Sequence, residues 1–280
     1  MKIKLTSDST CDLSRAQIET YDIEILPLAV GMGGKDYRDG VDIVPTDIYR
    51  HVESGGDLPK TAAINMAQYA DLWSRFAKDY DAIIHFDISA EFSCCYQNAT
   101  LAAEEFDNVY VIDSRNLSTG HGLLVLKAAE LAEAGMDAAE IVRVLNETVD
   151  KVDASFILDQ LEYLKKGGRC SSLAALGANL LKLKPCIEVK NGKMGVAKKY
   201  RGAYNKCLQE YVADRLKDRT DLDLRRVFVT HSGMEDALVE QAVESVKALQ
   251  AFDEICVTTA GCTVSSHCGP GTLGVLFLTK

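Results

Sequence analysis

A histidine stands directly before a glycine-rich turn near the end of the chain, and its imidazole ring can donate, accept or exchange a proton. The stretch 265–274 reads Ser-Ser-His-Cys-Gly-Pro-Gly-Thr-Leu-Gly. The apolar run 275–278 follows it and is short enough to form a buried strand. These features predict that His267 lies where a loop enters the core, which is a common position for binding groups.

Three more polar side chains follow segments that break regular structure. Thr61 comes after the Gly- and Pro-containing stretch 54–60, Ser93 lies in the predicted loop 89–95, and Arg169 follows a pair of glycines. If these side chains meet His267 at a crevice between two domains, two hydroxyls and an imidazole can each donate a hydrogen bond to a carboxylate. Hydrogen bonds to an ionised group are stronger than neutral ones. This set of donors predicts a site that binds an anionic head group.

The sequence lacks the motifs of several common enzyme classes. It contains no HExxH, P-loop or GxSxG pattern and no paired carboxylates of the kind used in acid–base catalysis. We therefore predict a binding protein rather than an enzyme, with no cofactor and no metal site. A thiol-dependent acyl-transfer enzyme, with Cys94 or Cys95 as nucleophile and His267 as base, stays open as the alternative.

A second alternative is a site for an anion or a nucleotide at the ends of the predicted strands. Polar residues follow these strands and would gather at the carboxyl edge of a parallel sheet, where ligands bind. The same residue types are common helix caps, so we expect only two or three of them to touch a ligand. The residues are Asp8, Ser9, Thr10, Ser89, Ser93, Asp113 and Ser114.

The composition is that of an ordinary globular protein with an excess of negative charge. Of 280 residues, 47% are hydrophobic and 26% charged, and 41 acidic against 31 basic residues give a net charge of −10. This balance argues against nucleic acid binding, which needs a basic face. The nine cysteines show no paired CxxC spacing and are expected to be reduced thiols. Because we find neither a membrane-spanning apolar run nor a signal peptide, we predict a cytoplasmic protein.

Strands and helices alternate in the first part of the chain, and this pattern changes near residue 150. Three strand–loop–helix units predict a parallel sheet covered by helices on both faces. Further on, residues 173 to 183 have the apolar density of a helix, and Asn191-Gly192 between two strand-like runs predicts a β-hairpin. We therefore predict an α/β protein with an N-terminal Rossmann-like domain (1–150) and a C-terminal α+β domain (151–280).

Five segments spread along the whole chain carry motifs that are weak alone and specific together. They are Ser7-Asp8-Ser9-Thr10-Cys11-Asp12-Leu13, Ile112-Asp113-Ser114 with 120–124, the stretch 161–169, Leu183-Lys184-Pro185 and His267-Cys268-Gly269-Pro270-Gly271. In this combination the chain resembles the DegV family, which includes the fatty-acid-binding subunits of bacterial fatty acid kinase. The resemblance implies two α/β domains that hold one long-chain fatty acid in a tunnel between them.

The resemblance also implies roles for individual residues and partners. Thr61, Ser93 and His267 would hold the carboxylate, while Arg169 and Arg201 match family arginines near the head group or the partner surface. A bacterial kinase subunit would phosphorylate the bound acid, and the acyl phosphate would pass to phospholipid synthesis. Lipid transport of this kind would involve transient contact with a membrane. Two loops depart from the family pattern, because they read Thr61-Ala62-Ala63 and Ser93-Cys94-Cys95 here.

Overall fold

The computed structural model describes residues 1–171 and 183–280 and has the α/β architecture predicted from the sequence. The strands in these ranges are β1 (Ile3–Asp8), β2 (Glu24–Leu26), β3 (Ala29–Met32), β4 (Lys35–Arg38), β5 (Lys60–Ala62), β6 (Ala82–Asp87), β7 (Val109–Asp113), β8 (Val152–Leu158), β9 (Leu183–Lys190), β10 (Lys193–Arg201), β11 (Leu222–Ser232), β12 (Glu254–Thr259) and β13 (Thr272–Thr279). The α-helices are α1 (Arg15–Thr20), α2 (Pro45–Glu53), α3 (Met66–Ser74), α4 (Cys95–Ala103), α5 (Ser118–Glu133), α6 (Ala138–Thr148), α7 (Glu162–Gly167), α8 (Tyr204–Leu216), α9 (Asp236–Leu249) and α10 (Cys262–Cys268).

The first part of the chain builds a parallel sheet with the strand order β2-β1-β6-β7. All six residues of β6 are buried, as expected for a strand covered on both faces. Its buried histidine is not left unpaired, because Thr6 Oγ1 and His85 Nδ1 lie 2.7 Å apart. The loops after β1, β6 and β7 emerge at one edge of this sheet, since parallel strands end on the same side.

A small antiparallel sheet forms an excursion between β2 and β6. Its strand order is β4-β3-β5, and Thr61 in β5 stands opposite Val30 in β3. Val30 is fully buried and packs with Ile48 of α2 and Cys262 of α10. The excursion therefore carries Thr61 against the C-terminal part of the chain.

The C-terminal strands form a six-stranded mixed sheet with the order β10-β9-β8-β13-β11-β12. The predicted hairpin is confirmed, because β9 and β10 pair in antiparallel register on either side of Asn191 and Gly192. These two residues have φ values of 50° and 78°, the left-handed conformation that a tight hairpin turn requires. The hairpin turn docks on the first part of the chain, since Ser89 Oγ donates to the Gly192 carbonyl at 2.9 Å.

The main hydrophobic core draws residues from both parts of the chain, including Phe86 and Leu124 from the first and Phe156 and Leu276 from the second. A second core packs α8 and α9 on the six-stranded sheet around Tyr211 and Phe277. The predicted division into domains 1–150 and 151–280 stays a prediction. The predicted helix over 173 to 183 lies outside the described residues except for Leu183, which begins β9.

The helices and the cysteines can be compared with what the sequence predicted about membranes and thiols. Of the helices in 1–171 and 183–280, none has both the length and the apolar character needed to cross a bilayer. Seven of the nine cysteines are buried, while Cys94 is exposed and Cys256 is half-buried.

Candidate functional site

A cavity of about 380 Å³ lies between the two parts of the chain. Its volume is within the usual range of small-molecule sites. Its wall is largely apolar and is supplied by both parts, with Leu28, Ile88, Phe92 and Leu117 from the first and Phe156, Leu164, Val264 and Leu276 from the second. Such a wall suits a hydrocarbon chain.

The cavity brings together four of the five site residues predicted from the sequence. Thr61, Ser93, Arg169 and His267 all line it. Thr61 Oγ1 and His267 Nε2 lie 2.9 Å apart, so a hydrogen bond joins side chains that are 206 residues apart in the sequence. The pair places a hydroxyl and an imidazole beside each other on a largely apolar wall.

His267 lies in the last turn of helix α10, so the prediction that it stands in a loop is wrong. The N-terminus of this helix is held by two carboxylates from the first part of the chain. The Gly261 N–H donates to Asp12 at 2.8 Å, while the Cys262 and Thr263 N–H groups donate to Asp39 at 2.7 and 3.0 Å. Because carboxylates cap helix N-termini well, these bonds fix the helix that carries His267.

Close backbone approach fixes the His267 ring from the other side. A Cβ atom at Gly167, the last residue of α7, would lie 2.5 Å from His267 Nδ1. Directly after the histidine's helix, Gly269 has a φ of 72° and leaves no room for a Cβ, which would lie 2.5 Å from the Tyr163 ring. The glycines therefore allow α7 and α10 to pack with the imidazole between them.

Burial keeps the imidazole neutral. Burial, with a smaller contribution from the nearby positive charge of Arg169, lowers the pKa of His267 to about 4. A neutral imidazole donates through one nitrogen only. A carboxylate bound beside the ring would favour the protonated form, because an opposite charge raises the pKa of histidine.

Ser93 lies in the loop that leads into α4. Its hydroxyl donates to Cys95 Sγ at 3.1 Å and accepts from the Cys95 N–H at 3.2 Å. Sulfur is a weak acceptor. The Ser93 hydroxyl would therefore lose only a weak hydrogen bond if it rotated to donate to a ligand carboxylate.

The two predicted arginines occupy different places. Arg169 is exposed, lines the cavity and also borders an adjoining surface pocket with Glu91 and Lys193. This shared border puts a positive charge where the cavity meets the surface. Arg201 is exposed at the end of β10 and is not among the residues that line the cavity. The structure therefore does not bring Arg201 to the Thr61–His267 pair.

The vicinal cysteines have different surroundings, and neither is paired with the imidazole. Cys94 is exposed on the cavity wall, whereas Cys95 is buried. Burial, with smaller contributions from the nearby Asp8 and Asp87, raises the pKa of the Cys95 thiol to about 12. A thiol with such a raised pKa is a poor nucleophile at neutral pH. In the described residues, the hydrogen bond of the His267 ring goes to Thr61 and not to a thiol.

The polar residues at the strand ends are mostly engaged within the protein. Asp8 accepts from the Thr10 N–H at 2.8 Å and from the Ile88 N–H at 2.7 Å. Asp113 accepts from Arg115 N–H at 2.8 Å, and Ser89 is bonded to the hairpin turn. These contacts match the capping roles that the sequence suggested, and they occupy groups that a nucleotide would need.

Several polar residues of the cavity wall were not among the predicted site residues, and two of them lie on the elements that carry or adjoin His267. They are Thr263, four residues before His267, and His231 at the end of β11. Residues four apart share one face of a helix, so the spacing of Thr263 and His267 indicates that both belong to the same face of α10. This spacing predicts a shared face only if the segment is already known to form a helix.

Comparison with known proteins agrees with this geometry. A family model described as "Uncharacterised protein, DegV family" matches residues 2–280. The chain is similar to the fatty acid-binding protein of Thermotoga maritima, with 30% identity over 282 residues that cover 98% of this chain and 96% of the relative.

Solved structures show the same likeness over the whole fold. A fatty-acid-binding DegV family protein from Thermus thermophilus superposes with a TM-score of 0.91 at 32% identity, covering 100% of both chains. A stearic acid-binding protein from Eubacterium ventriosum gives a TM-score of 0.84 at 27% identity, covering 99% of this chain and 98% of the other. These relatives are named as fatty-acid-binding proteins, which agrees with the prediction of a binding protein. This chain belongs to the DegV family.

Proposed function

We propose that this protein binds one long-chain fatty acid in the cavity, with the carboxylate at Thr61, Ser93 and His267 and the acyl chain along the apolar wall. One observation carries the proposal. A polar pair joined at 2.9 Å, Thr61 and His267, stands on the wall of a cavity that is otherwise mostly apolar. This arrangement matches a ligand with one ionised end and a long hydrocarbon tail.

The tail supplies affinity and the head supplies orientation. Roughly 14 buried methylenes at about 0.8 kcal/mol each contribute on the order of 10 kcal/mol before the ordering costs of binding. The donors at the head add less, because each replaces a hydrogen bond that the carboxylate made with water. They decide which way the acid enters, since a carboxylate among apolar side chains without donors is strongly disfavoured.

The position of Arg169 supports presentation of the head group to a partner. Arg169 lies near His267 and borders both the cavity and the adjoining surface pocket. A carboxylate held beside His267 is then close to the surface, where a separate fatty acid kinase subunit phosphorylates it. The acyl phosphate formed in this way supplies phospholipid synthesis in the cytoplasm of a bacterium, and exchange of the lipid involves transient contact with a membrane. Arg201, outside the cavity, belongs to the partner surface.

The two-domain organisation gives the ligand a route into the cavity. We assign residues 1–150 and 151–280 to the two domains, with the cavity at their junction. One contact across this junction lies at the hairpin, where the exposed side chains of Lys193 and Glu91 approach each other, with Nζ and Oε2 3.5 Å apart. Exposed ion pairs of this kind are weak, so this contact opposes entry of the ligand only slightly.

Mass spectrometry of the purified protein tests the proposal. Native spectra should show one bound fatty acid per chain, and denaturing extraction should release it. Addition of a bacterial fatty acid kinase subunit and ATP to the loaded protein should then produce an acyl phosphate. Absence of any bound acid, together with no binding of added long-chain acids, contradicts the binding function. Binding without phosphorylation contradicts only the kinase partnership.

A further inference from the structure

The floor of the cavity contains a glycine in the middle of a strand. Gly274 lies in β13, between β8 and β11, and its cross-strand neighbours are Phe156 and Thr230. All three residues line the cavity. Glycine weakens the interior of a strand and often marks a place where another group comes close to the backbone. Gly274 therefore leaves a hollow in the floor between Phe156 and Thr230.

The side chain of Leu276 lies in this hollow. Residues two apart in a strand point to the same face of the sheet, and Leu276 lines the cavity as Gly274 does. A Cβ atom at Gly274 would lie 2.9 Å from Leu276 Cδ1 and 3.0 Å from the Ser155 carbonyl oxygen. The missing side chain at Gly274 thus allows Leu276 to lie along the floor instead of extending into the cavity.

Leu276 is the last residue of β13 that lines the cavity. Its cross-strand neighbours, Ala154 and Phe228, belong to the main hydrophobic core. Leu278, the next residue of β13 on the same face, belongs to that core as well. Helix α5 covers the sheet at this level, because a Cβ atom at Gly120 would lie 3.2 Å from the Cβ of Ala154. The helix and the core therefore close the cavity beyond Leu276.

Leu276 is distant from the proposed carboxylate site. Thr272, at the start of β13, donates to the Cys268 carbonyl at 3.0 Å, so this end of the strand lies beside the helix that carries His267. A strand rises about 3.3 Å per residue, which places Leu276 about 13 Å further along. An extended chain of single bonds covers about 3.6 Å for every three bonds, so this distance corresponds to roughly eleven bonds. The tail of a long-chain acid reaches Leu276, whereas its carboxylate stays at His267.

We propose that Leu276, lying over Gly274, closes the far end of the cavity and sets the longest acyl chain that the protein accepts. The space beyond Leu276 is filled by α5 and the main core, so a longer chain would collide with this side chain. Gly274 is a positioning residue that acts through Leu276. This inference rests on the proposed function, since it takes the carboxylate position from it.

Competition of unlabelled acids against a fluorescent fatty acid measures the preference for chain length. The probes are dodecanoic, tetradecanoic, hexadecanoic, octadecanoic and eicosanoic acids, and the readout is the ratio of dissociation constants between neighbouring acids within each variant. Each methylene that the cavity buries should tighten binding about fourfold, whereas a methylene that does not fit should add nothing. The affinity of the wild type should therefore stop rising at one chain length in this series.

Substitutions of Leu276 should move this limit to longer chains. Leu276→Ala removes the isopropyl group at the end of the cavity, so the limit should rise by about two carbons. The acid two carbons beyond the wild-type limit should then bind about tenfold more tightly, relative to the acid at that limit, than it does in the wild type. Leu276→Val, a smaller change, should shift the ratio in the same direction by less, and it decides the question if Leu276→Ala does not fold.

Gly274→Ala should have the opposite effect, because the added Cβ displaces the Leu276 side chain into the cavity. The limit should move to shorter chains. This shift should disappear in the double variant Gly274→Ala/Leu276→Ala, since the side chain that would be displaced is then absent. Such non-additivity is the mark of two residues that act through one contact.

Leu278→Ala is the matched control, because Leu278 lies on the same face of the same strand but in the core beyond the cavity. It should lower stability and leave the ratios unchanged. Wild-type ratios in the folded Leu276 variants, an equal shift in Leu278→Ala, or a wild-type affinity that rises through eicosanoic acid each overturn the inference. Failure of every acid to bind to the wild type overturns the proposed function instead.

Discussion

The close approach of α7 to the His267 ring makes Gly167→Ala a selective test of the site. The added Cβ would lie 2.5 Å from His267 Nδ1, which is closer than real contacts allow. The ring must then rotate or shift, and it loses its 2.9 Å bond to Thr61. Gly167 does not have a positive φ, so alanine strains no backbone at this position.

The opposing effects on stability and binding can be estimated. Alanine gains up to about 1 kcal/mol in helix propensity over glycine. Relief of an overpacked contact costs about 1–3 kcal/mol. The free energy of unfolding should thus fall by no more than about 3 kcal/mol. A displaced imidazole removes a hydrogen bond to a charged group, worth about 1.5–3 kcal/mol, so affinity should fall about ten- to a hundredfold.

Fluorescent fatty acid displacement measures the affinity, and thermal unfolding measures the stability. The matched control is Gly195→Ala in β10, because a Cβ there meets no atom within 4 Å. The control should bind as the wild type does. Wild-type affinity in Gly167→Ala would refute the reasoning, because the ring would then have no fixed part in binding.

Three further predictions concern the supports of the site. Asp39→Asn leaves a single good acceptor for the two N–H groups that cap α10, so the free energy of unfolding in urea should fall by about 1–2 kcal/mol; an unchanged value would show that the cap is dispensable. Cys94→Ser should leave fatty acid retention, read by mass spectrometry, unchanged, whereas loss of a covalent acyl adduct in this variant would revive the acyl-transfer alternative. Burial raises the pKa of Asp8 from 3.8 to about 7, with Asp87 adding to the effect, so the folded state keeps a proton that the unfolded state releases above about pH 4. The contribution of this group to the free energy of unfolding therefore falls, by on the order of a few kcal/mol, as the pH rises from about 4 to about 7. Urea unfolding of Asp8→Asn should show a shallower fall over this pH range than urea unfolding of the wild type. Identical slopes would contradict the raised pKa.

Local sequence signals predicted the elements whose causes are local. The hairpin at Asn191 and Gly192 follows from residues that tolerate a positive φ between two strand-like runs. The parallel sheet follows from short apolar runs such as β6, which is buried along its whole length. The donors Thr61, Ser93 and His267 could be chosen because Thr61 follows a Gly- and Pro-containing stretch, Ser93 lies in a predicted loop and His267 precedes a glycine-rich turn.

Features that depend on distant partners could not be predicted in the same way. The helix that carries His267 is capped by Asp39, more than 220 residues away, so no local pattern marks its start. Without that helix, the relation between Thr263 and His267 is hidden. Arg201 matched a motif, yet its position at the end of β10 depends on how the whole six-stranded sheet sits beside the cavity.

Carbon-13 NMR of carboxyl-labelled hexadecanoic acid tests the position of the head group most directly. The account predicts a single bound carboxyl resonance at one acid per chain in the wild-type protein. In His267→Ala and Thr61→Val this resonance should shift and the acid should be lost more readily, while thermal unfolding shows both variants folded. A bound resonance that is identical in the wild type and both variants would contradict the account, because the carboxylate would then lie elsewhere.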